Sequence, residues 1–174
     1  MTIRQILTEP NEILRAKSLP VEKVDSELQK LMDDMLETMY AAPGIGLAAV
    51  QVGVLKRVIV LDLDQKEGEK KPFFFVNPEI TTKSENNSAY EEGCLSVPGQ
   101  FAEIERPDKC HIKYLNYHGE KEEIHAEGML ATCIQHEMDH LEGILFIDHL
   151  SKLKKTMIIK KLSKHKKELE RIVV

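Results

Sequence analysis

Between Asp25 and Ala41, apolar side chains recur as Leu28, Leu31, Met32, Met35, Leu36 and Met39. Alternating steps of three and one put them on one stripe of a helix, with Asp25 or Ser26 as its cap and Pro43-Gly44 as its stop. The period then changes. Val58–Leu61 and Phe73–Val76 are runs of β-branched or aromatic residues separated by the charged stretch from Asp64 to Pro72, which predicts a hairpin. Further strands are expected around residues 79–83, 101–106, 110–117 and 121–126, with His118-Gly119 turning the last pair. Residues 130–143 return to a helical pattern that Gly143 is placed to end. The first 24 residues hold short apolar clusters broken by Pro10 and Pro20, which predicts an irregular or partly helical arm. At the other end, Leu153, Met157, Ile158 and Leu162 sit among Lys152, Lys154, Lys155, Lys160, Lys161, Lys164, Lys166 and Lys167, an amphipathic basic helix over residues 151–171. Strands first and the motif-bearing helix afterwards predict an α+β class, a mostly antiparallel sheet with a helix packed against it.

Composition narrows the setting. At 174 residues the chain fits one domain, residues 1–174, able to bury a core without disulfides. Hydrophobic residues make up 42% and charged residues 30%, and no apolar run approaches the length that spans a bilayer. The N-terminal apolar stretch is too short for a signal peptide, and Cys94, Cys110 and Cys133 show no disulfide spacing. A reducing compartment, the cytoplasm, is expected, with no membrane and no DNA as partners. The net charge of -5 gives the surface no general attraction for nucleic acid, although the last quarter is strongly basic.

The chemistry centres on His136-Glu-Met-Asp-His140. Four residues apart on a helix, the two imidazoles leave the same face about 6 Å apart and can share one divalent ion. Glu137 is displaced around the helix, suited to take a proton from water on that ion. A catalytic ion takes a third protein ligand. Cys94, Cys110, Cys133, Asp148 and His149 are the candidates, and Cys94 stands out in Glu91-Glu-Gly-Cys-Leu-Ser-Val-Pro98, where glycine and proline flank it in what reads as a fixed loop. A third stretch, Gly44-Ile-Gly-Leu-Ala-Ala-Val-Gln-Val-Gly53, sets one amide, Gln51, among small and apolar residues. It reads as a glycine turn before a strand or as a site of close backbone approach, and it lacks the lysine of a phosphate loop.

Gly44-Ile-Gly-Leu-Ala-Ala-Val-Gln51, Glu92-Gly-Cys-Leu-Ser96 and Gln135-His-Glu-Met-Asp-His140, in this order and spacing, resemble peptide deformylase of the bacterial type. The likeness runs from the Pro10 region into the helix after Asp148. It implies antiparallel sheets around a central helix, and a divalent ion held by Cys94, His136 and His140: Fe(II) in the cell, with Zn, Ni or Co acceptable to the same donors. It implies removal of the formyl group from nascent peptides beginning with formylmethionine, with release of formate. Hydroxide on the ion would attack the formyl carbon, and Glu137 would act as base and then acid. Gln51 and the backbone N–H of Leu95 would meet the developing oxyanion. Around the peptide, the resemblance sets Ile45, Gly46, Glu92, Gly93, Met129 and Cys133, with Glu92 at the edge in a structural or positioning role. Phe101 departs from the arginine that many bacterial members carry there, which leaves contacts at the outer end of the groove open. The basic helix suggests contact with ribosomal RNA, beside the plain reading of a solvated face. A metallopeptidase using the same helix motif, or a metal-stabilised binding module without a reaction, are the alternatives, and Glu137 and Gln51 speak against the second.

Overall fold

The computed structural model describes residues 2–65 and 68–173; Lys66 and Glu67, in the expected charged turn, lie outside it. Helix α1 spans Ser26–Ala41, and of the two candidate caps Asp25 is the one used, its carboxylate accepting from the Leu28 N–H at 2.9 Å. Strands β1 (Gly46–Ala48), β2 (Val58–Leu61), β3 (Phe73–Lys83), β6 (Lys109–Leu115) and β7 (Lys121–Glu127) form one antiparallel sheet in the order β1-β2-β3-β6-β7. Strands β4 (Asn87–Cys94) and β5 (Val97–Pro107) pair as a separate hairpin. Helix α2 is Gly128–Leu141 and helix α3 is Lys152–Val173.

Strand β2 explains its own sequence. All four residues are buried; Val58 and Val60 pack with Leu28, Met32 and Met35 of α1, while Ile59 and Leu61 pack with Ala131 and Ile134 of α2. Successive side chains point to opposite faces of a sheet, so a strand covered by a helix on each side has no polar position to show. At about 1.5–3 kcal/mol for each fully buried aliphatic side chain, these contacts fix α2 against the sheet. Its motif face is thereby held rigidly. A left-handed turn at Gly143 (φ 75°) ends the helix, and a Cβ there would collide with the Arg15 backbone, so the glycine also admits the N-terminal arm. That arm is irregular apart from a 3-10 turn at Glu12–Arg15, as its prolines suggest.

The expected β2–β3 hairpin forms. Three strand readings change. The runs at 73–76 and 79–83 are one strand, β3, with a register shift at Asn77-Pro78, where Asn77 takes a positive φ of 50°. β1 and β4 were not foreseen: the first is only three residues long, and the second is mostly polar, its residues exposed or half-buried apart from the buried Glu92. Consequently Cys94 is the last residue of a strand, and the supposed loop is a two-residue turn, Leu95-Ser96, joining β4 to β5. In α3, Leu162 is buried with Ile158 and Ile159 packed partly against β5, whereas Leu153 and Met157 are exposed, so the apolar stripe is narrower than its sequence suggests. No helix among the described residues is long and apolar enough to cross a membrane.

Asp34, 1% exposed on α1, ties down the start of the chain. It accepts from the Thr2 N–H at 2.9 Å, Arg4 Nε and Nη2 at 3.2 and 3.0 Å, and Lys30 Nζ at 3.2 Å. The Thr2 amide, against the effect of burial and with help from Arg4 and Lys30, holds the carboxyl below its usual range. A carboxyl with a lowered folded pKa contributes stability that is fully present above its unfolded value of about 4 and lost as pH falls through the lowered one. Asp34→Asn is therefore expected to cost about 1–2 kcal/mol at neutral pH, with Arg4 and Lys30 partly in water. Denaturant titrations of both proteins at neutral pH and at about pH 3 should show that gap narrowing in acid; an unchanged gap would contradict the assignment.

Candidate active site

Helix α2 and the end of β4 bring three ligand atoms together: Cys94 Sγ and one ring nitrogen each of His136 and His140 lie within 4.8 Å of one another. Cys94 Sγ is 3.4 Å from His140 Nε2, and the two imidazole centroids are 5.2 Å apart. Of the five candidates for the third ligand, Cys94 is the one that joins the histidines. Cys110 is in the core and burial raises its pKa. Asp148 is held by Arg15 at 2.5 Å and Lys155 at 2.7 Å, and His149 Nε2 lies 2.8 Å from Asp139. Burial pushes the Cys133 thiol up to about 12, so it stays a neutral wall residue.

The donor set fits a divalent ion. His136 Nδ1 lies 2.8 Å from Glu92 Oε1, which can only accept, so Nδ1 carries the proton and Nε2 is left for a metal. Burial opposes charge on both imidazoles. At His136 the hydrogen bonds of Cys94 and Glu92 outweigh it and raise the pKa well above the usual value, whereas at His140 burial and the neighbouring cations lower it well below, leaving a neutral ligand. A cysteine sulfur and two imidazoles within 4.8 Å of one another form a donor set that a divalent cation would complete.

Glu92 is itself held on both oxygens. Arg106 donates from Nε to Oε2 at 2.7 Å and from Nη2 to Oε1 at 3.0 Å, and its Nη1 reaches Asp139 at 2.9 Å. Burial alone would raise the Glu92 pKa, but the His136 and Arg106 bonds bring it below the usual range. With 5% exposure and both oxygens engaged, Glu92 supports the His136 ring while also lining the cavity above the site. Arg106 and Asp139 were not picked out from the sequence, where a lone arginine in a strand carries no signal of burial.

Glu137 is different. It is 5% exposed, and its Oε2 has no hydrogen-bond partner. Burial pushes its pKa up to about 7, against the downward pull of His136. A Cβ on Gly46 would stand 2.6 Å from Glu137 Oε1, which accounts for glycine at that position. Gln51, 1% exposed, accepts from the Ala48 N–H with Oε1 at 2.9 Å, which fixes the orientation of its amide. Its Nε2 donates to Ser96 Oγ at 3.0 Å and lies 3.6 Å from Cys94 Sγ. Ser96 is a partner that the sequence reading missed, although it stands in the same motif as Cys94.

A cavity of about 780 Å³ opens over these groups. Its lining includes Ile45 and Gly46 at β1, Gly93 and Leu95 at the end of β4, and Cys133, His136 and Glu137 of α2. Both β1 and β4 have one edge without a strand neighbour among the described residues, so an extended peptide could add main-chain pairing there. Ile45 and Met129 are 44% and 49% exposed at the mouth, apolar surface suited to an apolar side chain. Phe101 is 64% exposed and lies against Gly93.

A family model described as Polypeptide deformylase matches residues 3–156. The chain is similar to a peptide deformylase of Pelagibacter ubique, 64% identical over the whole of both chains. It superposes on the crystal structure of peptide deformylase from Ehrlichia chaffeensis with a TM-score of 0.91, 43% identity and coverage of 96% and 98%. A second Ehrlichia chaffeensis structure, in complex with actinonin, gives 0.90, 46% identity and 95% and 98%. These relatives favour deformylation over the peptidase and binding-module alternatives. With a family model matched over residues 3–156 and relatives this similar along their full length, the chain belongs to the polypeptide deformylase family, metal-dependent enzymes that remove the N-formyl group from nascent peptides.

Proposed function

We propose that residues 1–174 act as one catalytic domain in the cytoplasm, releasing formate from chains that begin with formylmethionine. Cys94, His136 and His140 hold the ion, Fe(II) in the cell, although Zn, Ni or Co suits the same donors. When bound, the ion supplies Lewis acidity, acidifying a water and polarising the formyl carbonyl. Glu137 accepts a proton from the attacking water and delivers it to the departing amine; the observation that carries this role is its buried, unpartnered Oε2 beside the ligand cluster. Gln51 Nε2 and the Leu95 N–H donate to the oxyanion. The peptide lies along Ile45, Gly46 and Gly93, its methionine side chain against Met129, Cys133 and the His136 ring.

The direct test is formate release from a formyl-Met tripeptide by protein purified without oxygen, beside the acetyl-Met analogue, with metal content measured on the same sample. Release from the formyl substrate alone, lost on chelation, with iron as the main metal and activity falling in air as Cys94 or iron oxidises, is expected. A fully metallated sample that releases no formate would overturn the reading. Gln51→Leu is expected to lower kcat about 10²–10³-fold with KM little changed; a loss of stability alone would assign Gln51 to the Ala48–Ser96 bonds instead.

The lysines of α3 support a second element of the proposal, contact with ribosomal RNA. Full-length protein should cosediment with ribosomes in a salt-dependent way, and protein lacking residues 160–174 should not. Equal cosedimentation would assign those lysines to a solvated surface.

A further inference from the structure

Away from the cleft, β6 and β7 bring two imidazoles together. His111 and His125 are directly opposite each other in the register of the two strands, with ring centroids 4.1 Å apart and their Nδ1 atoms 3.0 Å apart. His111 Nε2 lies 3.0 Å from Glu123 Oε2. An ionised carboxylate only accepts, so this contact puts the His111 proton on Nε2 and leaves a lone pair on Nδ1. With that tautomer the Nδ1 contact is a hydrogen bond that His125 donates from its Nδ1–H; His125 is exposed, and a shift of this proton to Nε2 frees a second lone pair beside the first.

We propose that His111 and His125 form a second metal site, in which their two Nδ1 atoms hold a divalent transition-metal ion and Glu123 orients the His111 ring. Geometry selects the ion. Two nitrogens 3.0 Å apart, each about 2.0–2.1 Å from one ion, subtend about 95° at it. That is close to the right angle between neighbouring positions of a tetragonal site and well short of the tetrahedral angle, which favours Ni(II) or Cu(II) over zinc. Water fills the remaining positions, since among the described residues no third His, Cys, Asp or Glu ligand joins this pair. Both rings already stand in place on a paired sheet, so binding requires no rearrangement of the backbone. A carboxylate on the far nitrogen of a ligating histidine fixes the ring and raises its basicity, the part Glu92 plays for His136. Lys113 Nζ lies 3.6 Å from Glu123 Oε1 and balances that carboxylate, which limits the attraction for the cation.

Equilibrium dialysis of the full chain against Ni(II), starting from protein whose Cys94 centre already holds one equivalent of nickel, tests the assignment. The wild-type protein should take up a second equivalent. His125→Ala and His111→Ala should each stop at one, with formate release and unfolding midpoint unchanged for the exposed His125→Ala. Glu123→Gln should keep the second equivalent but weaken it about 10–100-fold. A wild-type stoichiometry of one would mean that the 3.0 Å contact is only a hydrogen bond between neutral rings. Retention of the second equivalent by both histidine variants would place the nickel elsewhere. Either result overturns the proposal.

Discussion

Glu137→Gln is expected to lower kcat by about 10²–10⁴-fold while the metal stays bound. The substitution changes little besides proton transfer: glutamine has nearly the same shape, and Gly46 leaves room for it beside Oε1. Since Oε2 has no partner to lose, folding should be unaffected. Burial sets the carboxyl near 7, and a dication next to it would draw that value down, so the wild-type enzyme should lose activity as pH falls through the resulting pKa and the base becomes protonated. Glutamine has no such titration. Steady-state rates across pH, with metal content determined for each preparation, check both statements. Full turnover by a metal-loaded glutamine variant would remove Glu137 from the mechanism.

Arg106→Met is expected to have the largest effect on folding and to weaken the metal as well. The guanidinium and Glu92 are each 5% exposed and bonded through two contacts, so truncation leaves a carboxylate buried without its partner. Breaking a buried pair in this way costs about 3–5 kcal/mol. His136 would keep its bond to Glu92, but the carboxylate would no longer be fixed, and loss of such outer support lowers metal affinity about 10–100-fold. Because the folded pKa of Glu92 is lowered, the pair stabilises the protein above the ordinary carboxylate value and loses that contribution as pH falls through the lowered one. Chemical unfolding of metal-free protein, together with metal competition against a chelator, separates the two effects. A double variant, Glu92→Gln with Arg106→Met, should recover part of the stability by removing the stranded charge, while metal affinity stays low. If metal affinity in the single variant were unchanged, Glu92 would need no anchor to hold His136.

Physical regularity determines how much could be read in advance. The α1 stripe and its Asp25 cap, the β2–β3 hairpin and the end of α2 at Gly143 all rest on local rules of periodicity and backbone freedom, and all are found. Strand β4 escaped notice because it is mostly polar and carries little apolar alternation. The joining of β3 through Asn77-Pro78 was hidden because a bulge is a tertiary accommodation, and its sequence reads as a break.

By itself, the sequence determined the chemical parts: two imidazoles and a carboxylate on one helix, a cysteine between glycine and proline, and an amide among small residues. Each depends on identity and short spacing, and these are local properties. Only the tertiary structure decided how the parts act together. It placed Cys94 at the end of a strand facing α2, set Glu92 against His136, and buried Arg106 to hold it there. It also set two histidines opposite each other across a register that no local pattern specifies. The physical reason is that hydrogen bonds between residues 14 to 44 positions apart depend on which strands pair and in what register, and pairing is set by burial of the whole chain.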